Sequence, residues 1–259
     1  MYHELTGSGT TVVFVHEAIA DSRMWEPQWT SFAGRHRLLR LDLAGFGQTP
    51  IERLPLTHAK DVVGLLDELG ISGAALVGAS LGGRVTLEVA LARPDLVGAL
   101  VLVDAGLPGV DWSEAVRAYG AAEDEAVTGG DLDAATEINL RMWVDGPRRS
   151  SEEVDPRVRA AVAAMVRRAL ELQAPHWDRL DEDLLVPDVA DRLADVQAPT
   201  LVVVGEEDVG DMHAIADRFA TEIPGARRAT IVAAAHVPSL EQPASFDELA
   251  LPFLAEALG

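Results

Sequence analysis

A chain of 259 residues, 48% of them hydrophobic, is long enough to bury a sizeable core in one large domain or in a domain with an insertion. A formal net charge of -21 repels polyanions and excludes nucleic acid and anionic membrane surfaces as partners. There is no cysteine for a disulfide, a thiolate metal site or a thiol nucleophile, and Lys60 is the only lysine, which removes a phosphate-binding P-loop and disfavours Schiff-base chemistry.

No apolar run approaches the ~18 residues of a membrane span. The opening "MYHELTGSGT" has neither the basic start nor the apolar middle of a secretory signal, so a cytoplasmic protein is expected. The first strand-like run, "TTVVFVH", ends at His16. "HRLLRLDL" follows and closes on the turn "AGFGQTP". "HAKDVVGLLDELG" sets Val62, Val63, Leu65, Leu66 and Leu69 at helical spacing and stops at Gly70. "AALVGAS" then leads into Ser80, and "GGRVTLEVALARP" reads as the next helix. "ALVLVDAG" ends at Asp104.

The next strand-like run, "TLVVVGEED", begins only after a gap of roughly 90 residues, far beyond an ordinary connection. Three helical patterns fill that gap: "WSEAVRAYGAAEDEAV", "LDAATEINLRMWV" and "PRVRAAVAAMVRRALELQ". Residues 107–197 are therefore read as a helical insertion, with 1–106 and 198–259 as the core. "ATIVAAAH" is the last strand-like run. Short runs that are apolar throughout are strands buried on both faces. Alternated with helices, they predict an α/β fold whose mostly parallel sheet is covered on both sides.

Gly78-Ala79-Ser80-Leu81-Gly82 fits G-x-S-x-G at a strand-to-helix junction. A sharp turn there lifts the hydroxyl clear of the sheet, and glycines at 78 and 82 let strand and helix pass closely. A serine hydroxyl needs a base. Of the seven histidines, His236 follows the last strand and so lies at the same carboxyl edge as Ser80. His16 ends an early strand in a different motif. His176 and His213 lie in helical contexts, and His3, His36 and His58 read as surface or packing residues. The base needs a carboxylate to fix its tautomer. Asp208, after the penultimate strand, is the candidate, and Asp104 is the rival.

The order Ser80, Asp208, His236 resembles the alpha/beta-hydrolases, which run nucleophile, acid, histidine. The flanking pieces match as well. "VVFVHEAIADSRMW" looks like that family's oxyanion strand-loop and "LDLAGFGQTP" like its D-x-x-G-x-G-x-[ST] turn. "VVVGEED" resembles its acid loop and "AHVPSLEQPASF" its H-x-x-x-x-E-x-P-x-x-F ending. These matches cover nearly the whole chain apart from the insertion, which falls where the family carries a helical cap.

The resemblance implies an alpha/beta-hydrolase fold and a serine hydrolase that cleaves a small carboxylic ester, lactone or thioester through an acyl-enzyme on Ser80. The backbone N–H groups of Ala18 and Leu81 would be the oxyanion donors. Carbon–carbon bond hydrolysis and cofactor-free perhydrolysis use the same parts, and a non-catalytic ligand receptor on this scaffold is the alternative of another class. A small ester-like molecule is the expected partner, with no metal and no cofactor. "HEAIA" starts like H-E-x-x-H but has Ala20 in fifth place, so no zinc pair exists there.

The sequence departs from the family pattern in two places. Glu17 stands where glycine is usual, and a carboxylate beside a forming oxyanion opposes it, so Glu17 is expected to point away or to pair with Arg23. An outermost strand ahead of "YHELTGSG" is also missing, which exposes a sheet edge. Phe46, Met142 and Trp143 are the candidate pocket residues. Trp112, Tyr119 and Trp177 are the other large groups of the insertion, and Trp25 reads as packing.

Overall fold

The computed structural model describes all 259 residues. The apolar runs form a seven-stranded sheet: β1 (His3–Thr6), β2 (Thr11–Val15), β3 (Arg37–Leu41), β4 (Ala74–Ala79), β5 (Val97–Val103), β6 (Thr200–Gly205) and β7 (Arg227–Ile231). Their order is β1-β3-β2-β4-β5-β6-β7. Only β1 runs antiparallel, against β3, and it forms the sheet edge. The helices are α1 (Glu26–Ser31), α2 (His58–Glu68), α3 (Leu81–Ala92), α4 (Glu114–Thr128), α5 (Leu132–Asn139), α6 (Pro156–Gln173), α7 (Gly210–Glu222), α8 (Pro238–Glu241) and α9 (Pro243–Leu258). None is long and apolar enough to cross a membrane.

The two-residue period of a strand divides the core between the sheet's faces. Val13 and Val15 of β2 pack with α2, α3 and α7 through Val62, Val85 and Phe219. Val12 and Phe14 pack on the other side with Trp25 and with Phe246 and Leu254 of α9. This is the alpha/beta-hydrolase fold expected from the sequence.

Between β5 and β6 the chain leaves the sheet and forms α4, α5 and α6 at the three expected places. Residues Leu140–Asp145 continue α5 as a π-helical turn. β5 and β6 are nonetheless direct parallel neighbours, so the helical excursion starts and ends at one place in the sheet. In a parallel sheet every loop that follows a strand emerges at the same edge. Ser80, Asp104, Asp208 and His236 all come from such loops, and that shared edge is what brings residues distant in sequence together.

Candidate active site

Ser80 joins β4 directly to α3 with φ of 47°, left-handed backbone that a residue with a side chain rarely adopts. Hydrogen bonds hold the turn. The Ser80 N–H donates to the Val103 carbonyl at 2.9 Å, and the Ser80 carbonyl accepts from Arg84 and Gly106, each at 3.0 Å. The neighbouring glycines are there for space: a Cβ on Gly78 would lie 2.3 Å from the Gly82 carbonyl oxygen, and one on Gly82 would lie 2.3 Å from that of Val15.

His236 is buried at 3% exposure. Its Nδ1 lies 2.7 Å from Asp208 Oδ2, which assigns the hydrogen to Nδ1 and leaves Nε2 as the free ring nitrogen. Burial alone would lower the imidazole's pKa, but the Asp208 carboxylate outweighs it and the net direction is up. The Val209 N–H donates to Asp208 Oδ1 at 2.7 Å. The Trp143 ring lies 4.5 Å from the imidazole, centroid to centroid, and the His236 N–H donates to the Trp143 carbonyl at 3.1 Å. Glu241, in the last turn of α8, accepts from the Ala235 N–H at 2.7 Å and pairs with Arg149 at 2.8 Å, which ties the histidine loop to the helical segment.

Asp104 is buried behind Asp208 and accepts from the Gly205 N–H at 3.1 Å. Burial, then the charge of Asp208, drives its pKa well above the usual carboxylate range. Of the two aspartates, Asp208 is the one hydrogen-bonded to the imidazole, and Asp104 bonds the backbone behind it. Asp104, Asp208 and His236 offer ligand atoms within 4.8 Å of one another and are the one grouping with metal-holding geometry. Asp208 already holds His236 Nδ1 and the Val209 N–H, and Asp104 already holds the Gly205 N–H, so these atoms have protein partners.

Ser80 and His236 line one cavity of about 190 Å³ with Ala18, Ile19 and Phe46 from the core and Tyr119, Glu123, Asn139, Trp143 and Trp177 from the helical segment. A wider depression of about 690 Å³ near Gln48, Arg53 and Asp61 contains none of the candidate residues.

Phe46 and Trp143 therefore occupy the expected cavity, whereas Met142 does not. Successive residues on a helix point in well-separated directions, and in the π-helical turn Trp143 faces His236 while Met142 lines a separate surface groove with Ala115 and Pro147. Trp112 packs against the core instead of entering the cavity. Trp25 is fully buried beside Phe14 and Phe246, as expected of a packing residue.

Ala18 lies on the exposed cavity side of the loop after β2, and Leu81 opens α3, where the first N–H groups of a helix have no internal partner. Buried His16 shapes the former loop. Its Nδ1–H donates to the Glu17 carbonyl at 2.8 Å, and its Nε2 accepts from the Leu43 N–H at 2.9 Å.

Glu17 does not pair with Arg23, and it is absent from the lining of the Ser80 cavity. The Arg23 guanidinium is occupied by Asp21, with bonds of 2.8 and 2.7 Å. The Glu17 side chain is turned inward, with 0% exposure and no hydrogen-bond partner on either carboxylate oxygen. Burial pushes its pKa up to about 8.

Sequence reasoning did not find the inward turn of Glu17, the place of Asp104 behind Asp208, or the polar contacts between α4 and α5. The spacing of Tyr119 and Glu123, four residues apart on one helix face, was the only available signal for the last of these.

Residues 12–249 match the model of a family described as "Alpha/beta hydrolase family". RutD of Azorhizobium caulinodans, by its name a candidate carbamate hydrolase, is 27% identical over 271 residues, covering 99% of this chain and 95% of that protein. Among solved structures, Est816, titled as an N-acyl homoserine lactone degrading enzyme, is 28% identical with a TM-score of 0.75, covering 97% of this chain and 96% of that one. A thermophilic esterase from Thermogutta terrifontis is 25% identical with a TM-score of 0.81, covering 99% of this chain and 93% of that one. The fold and the matched span agree: this chain belongs to the alpha/beta hydrolase family.

Proposed function

We propose that the protein is a serine hydrolase that cleaves a small carboxylic ester or lactone through an acyl-enzyme on Ser80, with His236 as base and Asp208 as its partner. The observation that carries this reading is the shared cavity: the left-handed Ser80 and an imidazole whose Nδ1 is held by Asp208 open onto the same space. Engagement of Nδ1 frees Nε2 to take the proton from the Ser80 hydroxyl. The alkoxide attacks the carbonyl carbon, and the N–H groups of Ala18 and Leu81 stabilise the oxyanion. His236 then donates its proton to the leaving oxygen, and a water activated in the same way releases the acid. Each oxyanion donor is worth roughly 10²–10³ in rate.

Asp208 holds the imidazole in the productive tautomer and stabilises its cation. Asp104 supports Asp208 and does not act as a second base. The helical segment 107–197 serves as a cap that closes the cavity and sets which substrates enter. The esterase and lactone-degrading relatives support an ester-like substrate.

Turnover of p-nitrophenyl acetate and butyrate tests the reading. Activity in the parent that disappears in Ser80→Ala supports it. A folded parent that turns over no ester, yet binds a small ligand saturably, would favour a receptor.

A further inference from the structure

The helical segment brings three hydrogen-bonded polar side chains to the Ser80 cavity: Tyr119 and Glu123 from α4, and Asn139 from α5. Their hydrogens can be counted. Asn139 Nδ2 carries two, one donated to Glu123 Oε1 at 2.5 Å and the other to the Ala135 carbonyl at 2.9 Å. The Tyr119 hydroxyl carries one, with two acceptors in reach: Asn139 Oδ1 at 2.8 Å and Glu123 Oε2 at 3.1 Å. Only one of them receives it. With Glu123 ionised, the set is one hydrogen short, and an unmatched acceptor on a half-buried carboxylate at the cavity wall favours a donor from the occupant.

We propose that Glu123, positioned by Tyr119 and Asn139, is a specificity-determining residue that accepts a hydrogen bond from a hydroxyl or amide N–H of the substrate. The enzyme then selects small esters or lactones that carry such a donor away from the scissile carbonyl.

This inference rests on the serine hydrolase reading. The surroundings support it. Burial raises the pKa of Glu123, so in the empty cavity a proton on the carboxyl can fill the deficit that a substrate donor fills in the complex. The Tyr119 ring lies 5.4 Å from Trp143, which in turn stacks on His236, so the polar group sits two rings from the imidazole. A volume of about 190 Å³ is below the ~300–1,000 Å³ of drug-sized sites, so a bound substrate cannot avoid this wall. A substrate carboxylate would meet a second acceptor and a like charge.

Matched esters supply the test, with kcat/KM followed by acid release. On the acyl side these are methyl 6-hydroxyhexanoate, methyl heptanoate and monomethyl adipate. On the alcohol side they are 4-hydroxybutyl acetate and pentyl acetate. In the parent, on at least one side, the hydroxy ester is preferred over its methyl isostere by roughly tenfold or more, and monomethyl adipate is the poorest acyl-side substrate.

Glu123→Gln keeps the volume and supplies its own N–H to the set, and Glu123→Leu removes the acceptor. Glu123→Leu brings the hydroxy-to-methyl ratio to within about twofold of unity, and Glu123→Gln, whose amide can still bond a hydroxyl, lowers it by less. Ser80-dependent hydrolysis of both isosteres with no preference on either side overturns the inference and leaves the hydrolase reading standing, as does a preference that survives in both variants. A parent that hydrolyses p-nitrophenyl acetate through Ser80 but none of these esters overturns the inference alone, and a parent that hydrolyses neither set overturns both.

Discussion

Glu17→Gln removes a charge while keeping the shape of the side chain. Glu17 is fully buried with both oxygens unpartnered. His236 faces it and favours its charged form, while Asp208, Glu241 and Asp104 oppose it. Burial dominates and pushes its pKa up to about 8 from an ordinary value of 4.5. Between those two values the native state holds a proton that the unfolded chain has released. The stabilising contribution of this residue is therefore complete below pH 4.5 and is lost as pH rises to about 8.

The full loss is on the order of 5 kcal/mol, and about half of it falls between pH 6 and 8. For a chain of this length that half corresponds to a relative fall in Tm of roughly 4–8 °C. Scanning calorimetry of parent and variant from pH 5 to 9 reads it directly. The Tm of Glu17→Gln minus that of the parent should grow by several degrees between pH 6 and 8, then level off as native Glu17 ionises. Activity provides a second readout: ionised Glu17 beside the Ala18 N–H opposes the oxyanion, so the parent's kcat/KM falls above pH 8 while the variant's holds. A Tm difference constant across the range would refute both the burial argument and the raised pKa.

Other substitutions separate the remaining roles. Asp208→Asn should lower kcat by about 10⁴ through the wrong imidazole tautomer, whereas Asp104→Asn, at a residue that bonds the backbone and not the imidazole, should stay within about tenfold of the parent. The reverse order in steady-state kinetics would move the partner role to Asp104. Gly205→Ala places a Cβ 1.9 Å from the Ala235 carbonyl oxygen and must displace the loop that carries His236. It should cost roughly 1–3 kcal/mol in urea denaturation, and an unchanged midpoint would contradict the close approach.

The edge strand β7 is largely exposed and overlaps its run "ATIVAAAH" only at 229–231, whereas β2, β4, β5 and β6 were legible because burial on both faces selects unbroken apolar runs. β1 was not. His3–Thr6 is four residues long with two positions exposed, and it is a strand only because β3 offers it an antiparallel partner. Ser80, Asp208 and His236 were legible because a parallel sheet delivers each strand's following loop to one edge, so position along the chain already implies proximity. The pairing expected of Glu17 with Arg23 failed for a physical reason. A carboxylate ordinarily stays in water, and only the loop geometry fixed by His16 turns this one inward. Met142 and Trp143 are neighbours of similar hydrophobicity, and the π-helical turn, a tertiary feature, decided which of them faces the imidazole. The Tyr119–Glu123–Asn139 set spans two helices whose packing no local pattern encodes.

The claim that Ser80 is an activated nucleophile can be tested by incubating the native protein with a fluorophosphonate, digesting it with trypsin and identifying the modified residue by mass spectrometry. The account predicts one adduct, on Ser80 within the peptide ending at Arg84, that is lost in Ser80→Ala and strongly slowed in His236→Ala. A folded parent that stays unlabelled, or an adduct on any other residue, would contradict it.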